Sequence, residues 1–274
     1  MFKLKIDETK VGRSDSSFKL DRISPSAMGS YLGCPLSFYY KYIAKVKMPE
    51  ENLHLLFGSG IHKAIEDMYN GEKDPIKSFH ELFVGDKLDA KSKERYFEFS
   101  LLGEEMVKNY MQLHPLLDSM YGLSDGQSEL RFKMPIVNPV SEELSSVPLS
   151  GIVDRFISSG KIIEYKTSAN KWSPDERRFK IQSRLYSLWY FTNSKEMIDE
   201  GIYIILLKKY KKTERDKVHQ IISYKPTKED LAEFWEEMEL VLEKIEAGIF
   251  ERPKKGHPPY CDCYKFEAFL GISD

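Results

Sequence analysis

The chain has 274 residues, enough for one large domain or two small ones, and its 41% apolar share allows a sizeable core. Its 41 basic and 43 acidic residues leave a formal net charge of -2, so any nucleic-acid contact must depend on a local basic patch. No apolar run is long enough for a membrane span, and the N-terminus MFKLKIDETK lacks the apolar stretch of a secretory signal. We therefore expect a cytoplasmic protein with no membrane partner.

The chain is expected to contain a short arm and one folded domain. Residues 1–23 are polar and weakly patterned, which predicts a loose N-terminal arm. We predict a single domain over residues 24–274, of which residues 24–120 are mostly helical. Residues 126–225 should form the sheet core, and residues 226–274 should form a C-terminal helix and tail.

Helices are predicted along the first part of this domain. Ser24 and Pro25 are typical of an N-cap and a first helical position, and Gly33 can end that short helix. The aromatic-rich segment PLSFYYKYIAKV follows and predicts a second helix. Apolar residues recur at helical spacing over residues 56–70 and 92–113, which predicts two more.

The later part of the chain has the pattern of an α/β protein. Three short β-prone runs, SELRFKMPIV, VPLSGIVDRFIS and KIIEYKTS, are separated by turn residues. Residues 176–192 return to helical spacing, and GIYIILLKKY and HQIISYK predict two more strands. An amphipathic helix follows, with Thr227 as its cap. This order predicts an α/β sandwich with a mixed sheet, in which the helix between strands is a crossover connection.

Two acids and a lysine interrupt the otherwise apolar strands of the segment GIVDRFISSGKIIEYKTS. A three-residue turn with Gly160 in the left-handed conformation would pair Ile157 with Lys161. Asp154 would then face Glu164. A two-residue turn would shift the pairing by one residue and put the two acids on opposite faces of the sheet. We predict the three-residue turn.

These residue types are the ones that a phosphodiester hydrolase needs. Lys166 lies two residues beyond Glu164 and therefore projects from the same face as that acid. Asp154 and Glu164 can hold a hard divalent cation that activates water and neutralises charge on the phosphate, and a lysine can meet the developing negative charge. A salt-bridge cluster on a half-exposed sheet is the alternative that these three residues leave open.

Five segments, in order, resemble the RecB-like branch of the PD-(D/E)XK nucleases. That branch includes the exonucleases associated with CRISPR adaptation and the nuclease domains of bacterial recombination helicases. The segments are SPSAMGSYLGCPLSFYYKYI, GSGIHKAIE, GIVDR, EYK and QSRLY, and they cover residues 24 to about 225. The resemblance implies a restriction-endonuclease-like core with a mixed central sheet flanked by helices.

The resemblance also implies a metal site. His62 of GSGIHKAIE would be a metal ligand beside Asp154 and Glu164, and the backbone carbonyl of Tyr165 would complete the site. Lys166 would be catalytic with the two acids. The metal would be Mg²⁺ or Mn²⁺, and an imidazole ligand favours manganese. Without the other motifs, a lone histidine on a helix would more often be structural.

Three further residues are candidates for the surroundings of this site. Gln182 and Tyr186 lie four apart on a predicted helix and share a face, which the resemblance puts against the active site. They would hold Lys166, the attacking water or the substrate strand; an ordinary polar pair is the alternative. Glu129, just before the first predicted strand, resembles an acid often found at the edge of such sites.

The three cysteines depart from the pattern of many relatives, which carry an iron–sulfur cluster on one N-terminal and three C-terminal cysteines. This chain has Cys34, Cys261 and Cys263, so four thiolates are not available and no such cluster is expected. Aromatic packing would replace it as the clamp between the chain ends. A structural zinc site that adds His257 has the right ligand count but an unusual spacing, and is not favoured.

A basic segment, KKYKKTERDK, links two predicted strands over residues 208–217. Its Lys208, Lys209, Lys211 and Lys212 could follow a DNA backbone around the tyrosine, or they could form a solvated hairpin tip. Both alternatives stay open.

We expect a metal-dependent DNA nuclease, an exonuclease that acts on single-stranded DNA or duplex ends. The pathways that use such a module are recombination, repair, phage DNA metabolism and CRISPR adaptation, in which it would have a protein partner. The alternatives are a structure-specific endonuclease and a DNA-end-binding subunit without catalysis. The intact motif set disfavours the last of these.

Overall fold

The computed structural model describes Phe18 and residues 20–49, 51–71, 74–173, 177–209, 218–254 and 261–272. Residues 1–17, which are most of the predicted arm, lie outside that part of the chain. So do Lys211 and Lys212 of the basic segment and His257 of the alternative zinc site.

Within the described residues, five strands form one mixed sheet. In chain order, which is also their order in the sheet, they are β1 (Gly126–Met134), β2 (Leu149–Ile157), β3 (Lys161–Ser168), β4 (Glu200–Leu207) and β5 (His219–Tyr224). Strands β3 and β4 are parallel, and the other neighbouring pairs are antiparallel. The predicted fold class, a mixed sheet flanked by helices, is confirmed.

Helices cover both faces of this sheet. The helices that precede it are α1 (Pro25–Gly33), α2 (Pro35–Phe38), α3 (Leu53–Tyr69), α4 (Pro75–Leu82), α5 (Ala90–Glu94) and α6 (Tyr96–Tyr121). The later ones are the β3–β4 crossover α7 (Arg177–Ser194), α8 (Lys228–Glu246) and α9 (Asp262–Leu270). Thr227 caps α8 in a capping box, as predicted. None of the described helices has both the length and the apolar composition that crossing a membrane requires.

Two apolar cores hold the helices against the sheet. On one face, which we call the α7 face, Val153 and Ile162 of the sheet pack with residues of α1, α7 and α8. On the opposite face, which we call the α3 face, Ile157, Ile163 and Tyr165 pack with residues of α3, α4 and α6. Alternate residues of β3 therefore face different cores, as the strand geometry requires.

The N-terminal helices differ in detail from those predicted. The segment PLSFYYKYIAKV begins as α2 and continues as a π-helix over Tyr39–Ile43. The helix predicted over 92–113 extends to Tyr121, where Gly122, with a φ of 69°, ends it. Helices α4 and α9 were not predicted; they have eight and nine residues, and so short a segment carries little periodic signal.

The described end of the predicted arm is bound to the sheet. Ile23, which the sequence analysis places in the loose arm, is fully buried and forms a parallel bridge with Leu149. Its N–H donates to the carbonyl of Pro148 at 2.9 Å, and its carbonyl accepts from the N–H of Ser150 at 2.8 Å. Paired backbone groups and a buried β-branched side chain hold this residue in place, so any loose chain ends before it.

Candidate active site

The β2–β3 hairpin has the predicted register. Ile157 pairs with Lys161, and the N–H of Gly160 donates to the carbonyl of Ile157 at 2.9 Å. Gly160 has a φ of 85°, a conformation that suits glycine because it has no Cβ. The three-residue turn is therefore confirmed.

The two strands separate at Asp154. Arg155 and Ile163 are the last backbone pair of the ladder on that side. In a regular strand, Val153 and Ile157 would face the same side of the sheet. Here Val153 packs on the α7 face and Ile157 on the α3 face, so the alternation of side chains changes between them. Asp154 consequently lies at the mouth of an opening between β2 and β3, where side chains from both faces of the sheet can reach it.

Acidic side chains bridge this opening in place of backbone hydrogen bonds. The N–H of Tyr165 donates to Asp154 Oδ2 at 2.8 Å, and the N–H of Asp154 donates to Glu164 Oε1 at 3.4 Å. Backbone donors are rigid, so they orient both carboxylates. In a strand, the N–H and the carbonyl of one residue point the same way, so the carbonyl of Tyr165 is also directed towards Asp154.

Glu164 is the most deeply buried acid of the site, with 1% of its surface exposed. Its Oε2 accepts from Lys166 Nζ at 2.8 Å and from Gln182 Nε2 at 2.7 Å. A buried carboxylate needs such partners, since without them it would be neutralised. Glu164 and Lys166 project from the same face of β3, as predicted.

His62 reaches the acids from the opposite face of the sheet. Helix α3 packs on that face through the buried Ile61 and Ile65, and the intervening turn carries His62 towards β2. His62 Nδ1 lies 3.3 Å from Asp154 Oδ1. The structure thus brings His62, Asp154, Glu164 and Lys166 together, although 92 positions separate the histidine from Asp154 in the chain.

The two acids have opposite pKa shifts. Burial, followed by the charge of Asp154, raises the pKa of Glu164 to about 7. Burial would also raise the pKa of Asp154, but the charges of His62 and Lys166, together with hydrogen bonds from His62 and from the N–H of Tyr165, lower it to about 2. Burial would lower the pKa of Lys166, but the neighbouring acids raise it, so the ammonium keeps its proton.

The donor set fits a hard divalent cation. Two carboxylates, an imidazole and a backbone carbonyl directed at the same opening are ligands that Mg²⁺ and Mn²⁺ accept. The raised pKa of Glu164 is consistent with this, because burial and then the charge of Asp154 disfavour its ionised form, which a bound cation would stabilise.

Gln182 and Tyr186 form a polar link between α7 and the hairpin. Gln182 Nε2 donates to Glu164 Oε2 and lies 3.3 Å from the hydroxyl of Tyr186. That hydroxyl donates to the carbonyl of Ile152 in β2 at 2.7 Å. The pair therefore holds Glu164 relative to β2, on the face of α7 that the sequence analysis puts against the active site.

Glu129 lies inside β1, three residues beyond the start of the strand, and not before it as predicted. It has a φ of 50°, and the β1–β2 pairing is interrupted at this residue, opposite Asp154. Burial and then the charge of Asp154 raise its pKa, and its Oε2 lies 3.3 Å from Arg131. Glu129 is thus a third acid at the edge of the site.

The described part of the basic segment does not face this site. The Lys208 ammonium lies 4.7 Å from the ring centre of Phe57 and 5.8 Å from that of Phe99, and burial lowers its pKa. Lys209 is exposed. A role for Lys208 and Lys209 in DNA binding stays a prediction.

Sequence reasoning did not identify the buried Arg155, which has 2% of its surface exposed. Its guanidinium donates to the carbonyl of Leu123 and, at 2.6 Å, to the hydroxyl of Ser128, and it lies 3.6 Å from the ring centre of Tyr69. An arginine inside an apolar strand was the signal that could have revealed it. It anchors β2 beside Asp154.

The three cysteines form a separate cluster. The sulfur atoms of Cys34, Cys261 and Cys263 lie within 4.8 Å of one another, in a geometry that could hold a metal ion. Burial raises the pKa of the Cys34 and Cys263 thiols. Tyr40 and Phe266 pack around them, with ring centres 5.6 Å apart, so this aromatic pair joins the N-terminal helices to α9.

The sequence profile of the PD-(D/E)XK nuclease superfamily matches residues 22–265. The match covers most of the chain and includes every residue of the site. The chain therefore belongs to the PD-(D/E)XK nuclease superfamily, as its motifs predicted, and it is a nuclease. Nucleases of this superfamily generally use divalent metals such as Mg²⁺ or Mn²⁺.

One solved structure shows the same fold. The structure of an exonuclease candidate from Eubacterium rectale is 17% identical, with a TM-score of 0.54 over 90% of this chain and 88% of that one. The structure of SSO0001 is 11% identical and covers 90% of this chain and 96% of its own, but its TM-score of 0.35 is too low to support an argument. No curated protein sequence matches the chain significantly.

Proposed function

We propose that this nuclease is a divalent-metal-dependent exonuclease that acts on single-stranded DNA or duplex ends. The proposal rests on one observation. The side chains of His62, Asp154, Glu164 and Lys166 lie together at the opening between β2 and β3. A salt-bridge cluster alone would need neither a histidine from the opposite face of the sheet nor an amide from α7. The RecB-like branch, and a role in recombination, repair, phage DNA metabolism or CRISPR adaptation beside a protein partner, remain part of this proposal.

The chain's own residues would divide the work of binding and orientation. His62, Asp154, Glu164 and the carbonyl of Tyr165 would hold Mg²⁺ or Mn²⁺. When bound, such a cation neutralises charge on the scissile phosphate and promotes attack by water. The backbone N–H groups at Asp154 and Tyr165 keep the two carboxylates aimed into the opening, so little reorganisation is needed when substrate binds.

Lys166 would act as a cationic donor. Its ammonium is held at 2.8 Å from Glu164, it keeps its proton, and 24% of its side chain is exposed to the cavity beside the site. A fixed positive charge there meets the negative charge that develops on the phosphate and can orient the attacking water. Gln182 would keep Glu164 in place while Lys166 turns to the substrate.

The test is cleavage of end-labelled linear single strands, linear duplexes and closed circular single strands in Mg²⁺, Mn²⁺ or EDTA. We expect linear DNA to be degraded with either metal and not in EDTA, and the circle to remain intact. Lys166→Ala should lower the rate by about 10²- to 10³-fold, whereas Lys161→Ala, on the same strand but outside the site, should not change it.

Three outcomes would contradict parts of the proposal. A Lys166→Ala protein with full activity would exclude the mechanism. Cleavage of the circle would assign an endonuclease instead. Purified protein that binds DNA ends but cuts none of the three substrates in either metal would favour a subunit without catalysis. Thermal unfolding of each variant separates lost chemistry from lost structure.

A further inference from the structure

A cavity of about 910 Å³ opens directly onto the active site. Asp154, Glu164, Lys166, Gln182 and Tyr186 form one end of it. Its remaining walls come from the N-terminal segment that precedes and includes α1, from the π-helix, and from β1 and the first half of β2. A volume of this size is at the upper end of the range for pockets that take small ligands. It therefore has room for a few nucleotides of one strand.

The walls of this cavity are rich in positive charge. Five cationic residues line it in addition to Lys166, and they are Arg22, Lys41, Lys45, Arg131 and Lys133. Among the described lining residues, Asp21 is the only acid outside the catalytic group, and Lys133 lies 3.4 Å from it. In a chain with a formal net charge of -2, this concentration of cations is a local basic patch. Such a patch is what binding to a phosphate backbone requires.

The ion pairs that these cations make are weak and exposed. Lys41 lies 4.0 Å from Asp262, and both side chains are about half exposed. Arg131 pairs with Glu129 at 3.3 Å and is 70% exposed. Exposed pairs of this kind contribute little to stability, so a phosphate can replace the carboxylate at small cost.

Lys45 has a backbone conformation that a lysine rarely adopts. Its φ is 51°, at the end of the π-helix, where the N–H of Val46 donates to the carbonyl of Tyr40 at 2.9 Å. Glycine is the usual residue at such a helix end, because a Cβ there crowds the neighbouring carbonyl oxygen. The exposed ammonium of Lys45 lines the cavity despite that crowding. A strained residue beside an active site indicates a functional side chain.

Two further features of the cavity suit a nucleic-acid strand. Tyr42 lines the wall next to Lys41 and is held by stacking on Phe38, with ring centres 5.1 Å apart. An aromatic ring among lysines can stack on a base while the lysines contact phosphates. The first residues of α1, from Ser24 to Ala27, also face the cavity, and a helix N-terminus favours a phosphate.

We propose that this cavity is the binding track for one DNA strand, in which Lys45 and Lys41 hold the backbone phosphates of the segment next to the bond that is cut. The proposal rests on the proposed function, since the track leads to the proposed catalytic residues. Beyond that function, the proposal names the residues that bind the DNA and specifies that the bound DNA is a single strand. A duplex end would have to fray to supply one.

The test is binding of fluorescein-labelled oligothymidylate in EDTA, where no cleavage is expected, measured by fluorescence anisotropy over a range of salt concentrations. Lys45→Gly removes the charge and also relieves the backbone strain, so it should not destabilise the protein. Losing one phosphate contact on a single strand lowers the salt slope by about 0.7, which corresponds to a roughly fivefold weaker affinity at 0.1 M salt. Adding Lys41→Ala should weaken binding about fivefold again.

Lys195→Gly is the matched control. Lys195 also has a positive φ, 61°, it also lies at a helix end, and it is exposed. It directly follows α7 and lies thirteen residues beyond Gln182, about 20 Å along the helix direction, and it does not line the cavity. Lys195→Gly should relieve strain to a similar extent and leave the affinity unchanged.

The outcomes separate this track from the proposed function. If Lys45→Gly weakens binding no more than Lys195→Gly does, the track is wrong, whether or not the enzyme cuts DNA. If a covalently closed circular duplex, which has no ends to fray, binds as tightly as oligothymidylate and loses affinity equally in Lys45→Gly, the single-strand assignment is wrong. If binding depends on Lys45 but no substrate is cut in metal, the track stands and the nuclease proposal fails.

Discussion

Glu164→Gln should make the metal-free protein less sensitive to pH, because Glu164 is the acid whose charge the fold tolerates least. Burial and the neighbouring Asp154 raise its pKa from 4.5 to about 7. An acid whose pKa is higher in the folded state binds its proton more tightly there than in the unfolded chain. Stability is therefore lost as the pH rises from about 4.5 to about 7. A shift of this size corresponds to about 3 kcal/mol.

The assay is urea unfolding in EDTA, repeated for the wild type and for Glu164→Gln between pH 5 and pH 8. Glutamine fills the same space and does not ionise, so the variant should lack this pH-dependent loss. Asp154 and Lys166 keep their charges over that range. His62 is present in both proteins, and Glu164 has a smaller effect on its pKa than burial or Asp154, so the variant alters that shift only in part. Between pH 5 and pH 8, the unfolding free energy of the variant minus that of the wild type should therefore rise by about 2.5 kcal/mol.

A difference that stays constant from pH 5 to pH 8 would refute this reasoning. Glu104→Gln is the control, because a hydrogen bond from His80 lowers the pKa of that partly exposed acid. The difference in unfolding free energy between Glu104→Gln and the wild type should depend only weakly on pH, and with the opposite sign. Millimolar Mg²⁺ should stabilise the wild type and not Glu164→Gln, since only the wild type keeps both carboxylates.

Three further changes test the framework of the site. Arg155→Met should lower the unfolding free energy, measured with urea, by about 3 kcal/mol. The change removes the donor to the carbonyls of Leu123 and Ser124. A loss below 1 kcal/mol would contradict the anchoring role. Gln182→Ala should reduce kcat by roughly tenfold with little change in KM, because it frees Glu164 to move; a change confined to KM would instead indicate substrate contact. Gly201→Ala should destabilise by several kcal/mol, because a Cβ would lie 1.8 Å from the Tyr224 ring; unchanged thermal unfolding would contradict it.

Much of the hairpin could be predicted because its determinants are local. Gly160 sets the turn, the turn sets the register, and the alternation of side chains puts Glu164 and Lys166 on one face. The separation of the strands at Asp154 could not be predicted, because it depends on the backbone of β1 opposite and on the two cores that draw neighbouring residues to different faces.

The basic patch shows a different limit of sequence reasoning. The charges near Lys208 are contiguous in the sequence and therefore suggest a DNA contact. In the structure, Lys208 packs against the rings of Phe57 and Phe99. The cations that line the cavity come from separate stretches of the chain, and none of those stretches is conspicuously basic. Only packing of the π-helix near β1 puts Lys41 and Lys45 in the same cavity as the catalytic residues.

By itself, the sequence determined the order of the five described strands and of the longer helices, the turn between the catalytic strands, and the superfamily. These follow from short-range periodicity and from motifs in order. Tertiary structure alone decided where His62 meets the acids, how far each carboxylate is buried and which lysines line the cavity. Those properties arise from contacts between residues far apart in the chain. Their energies depend on desolvation and on the distances between charges, which spacing along the chain does not specify.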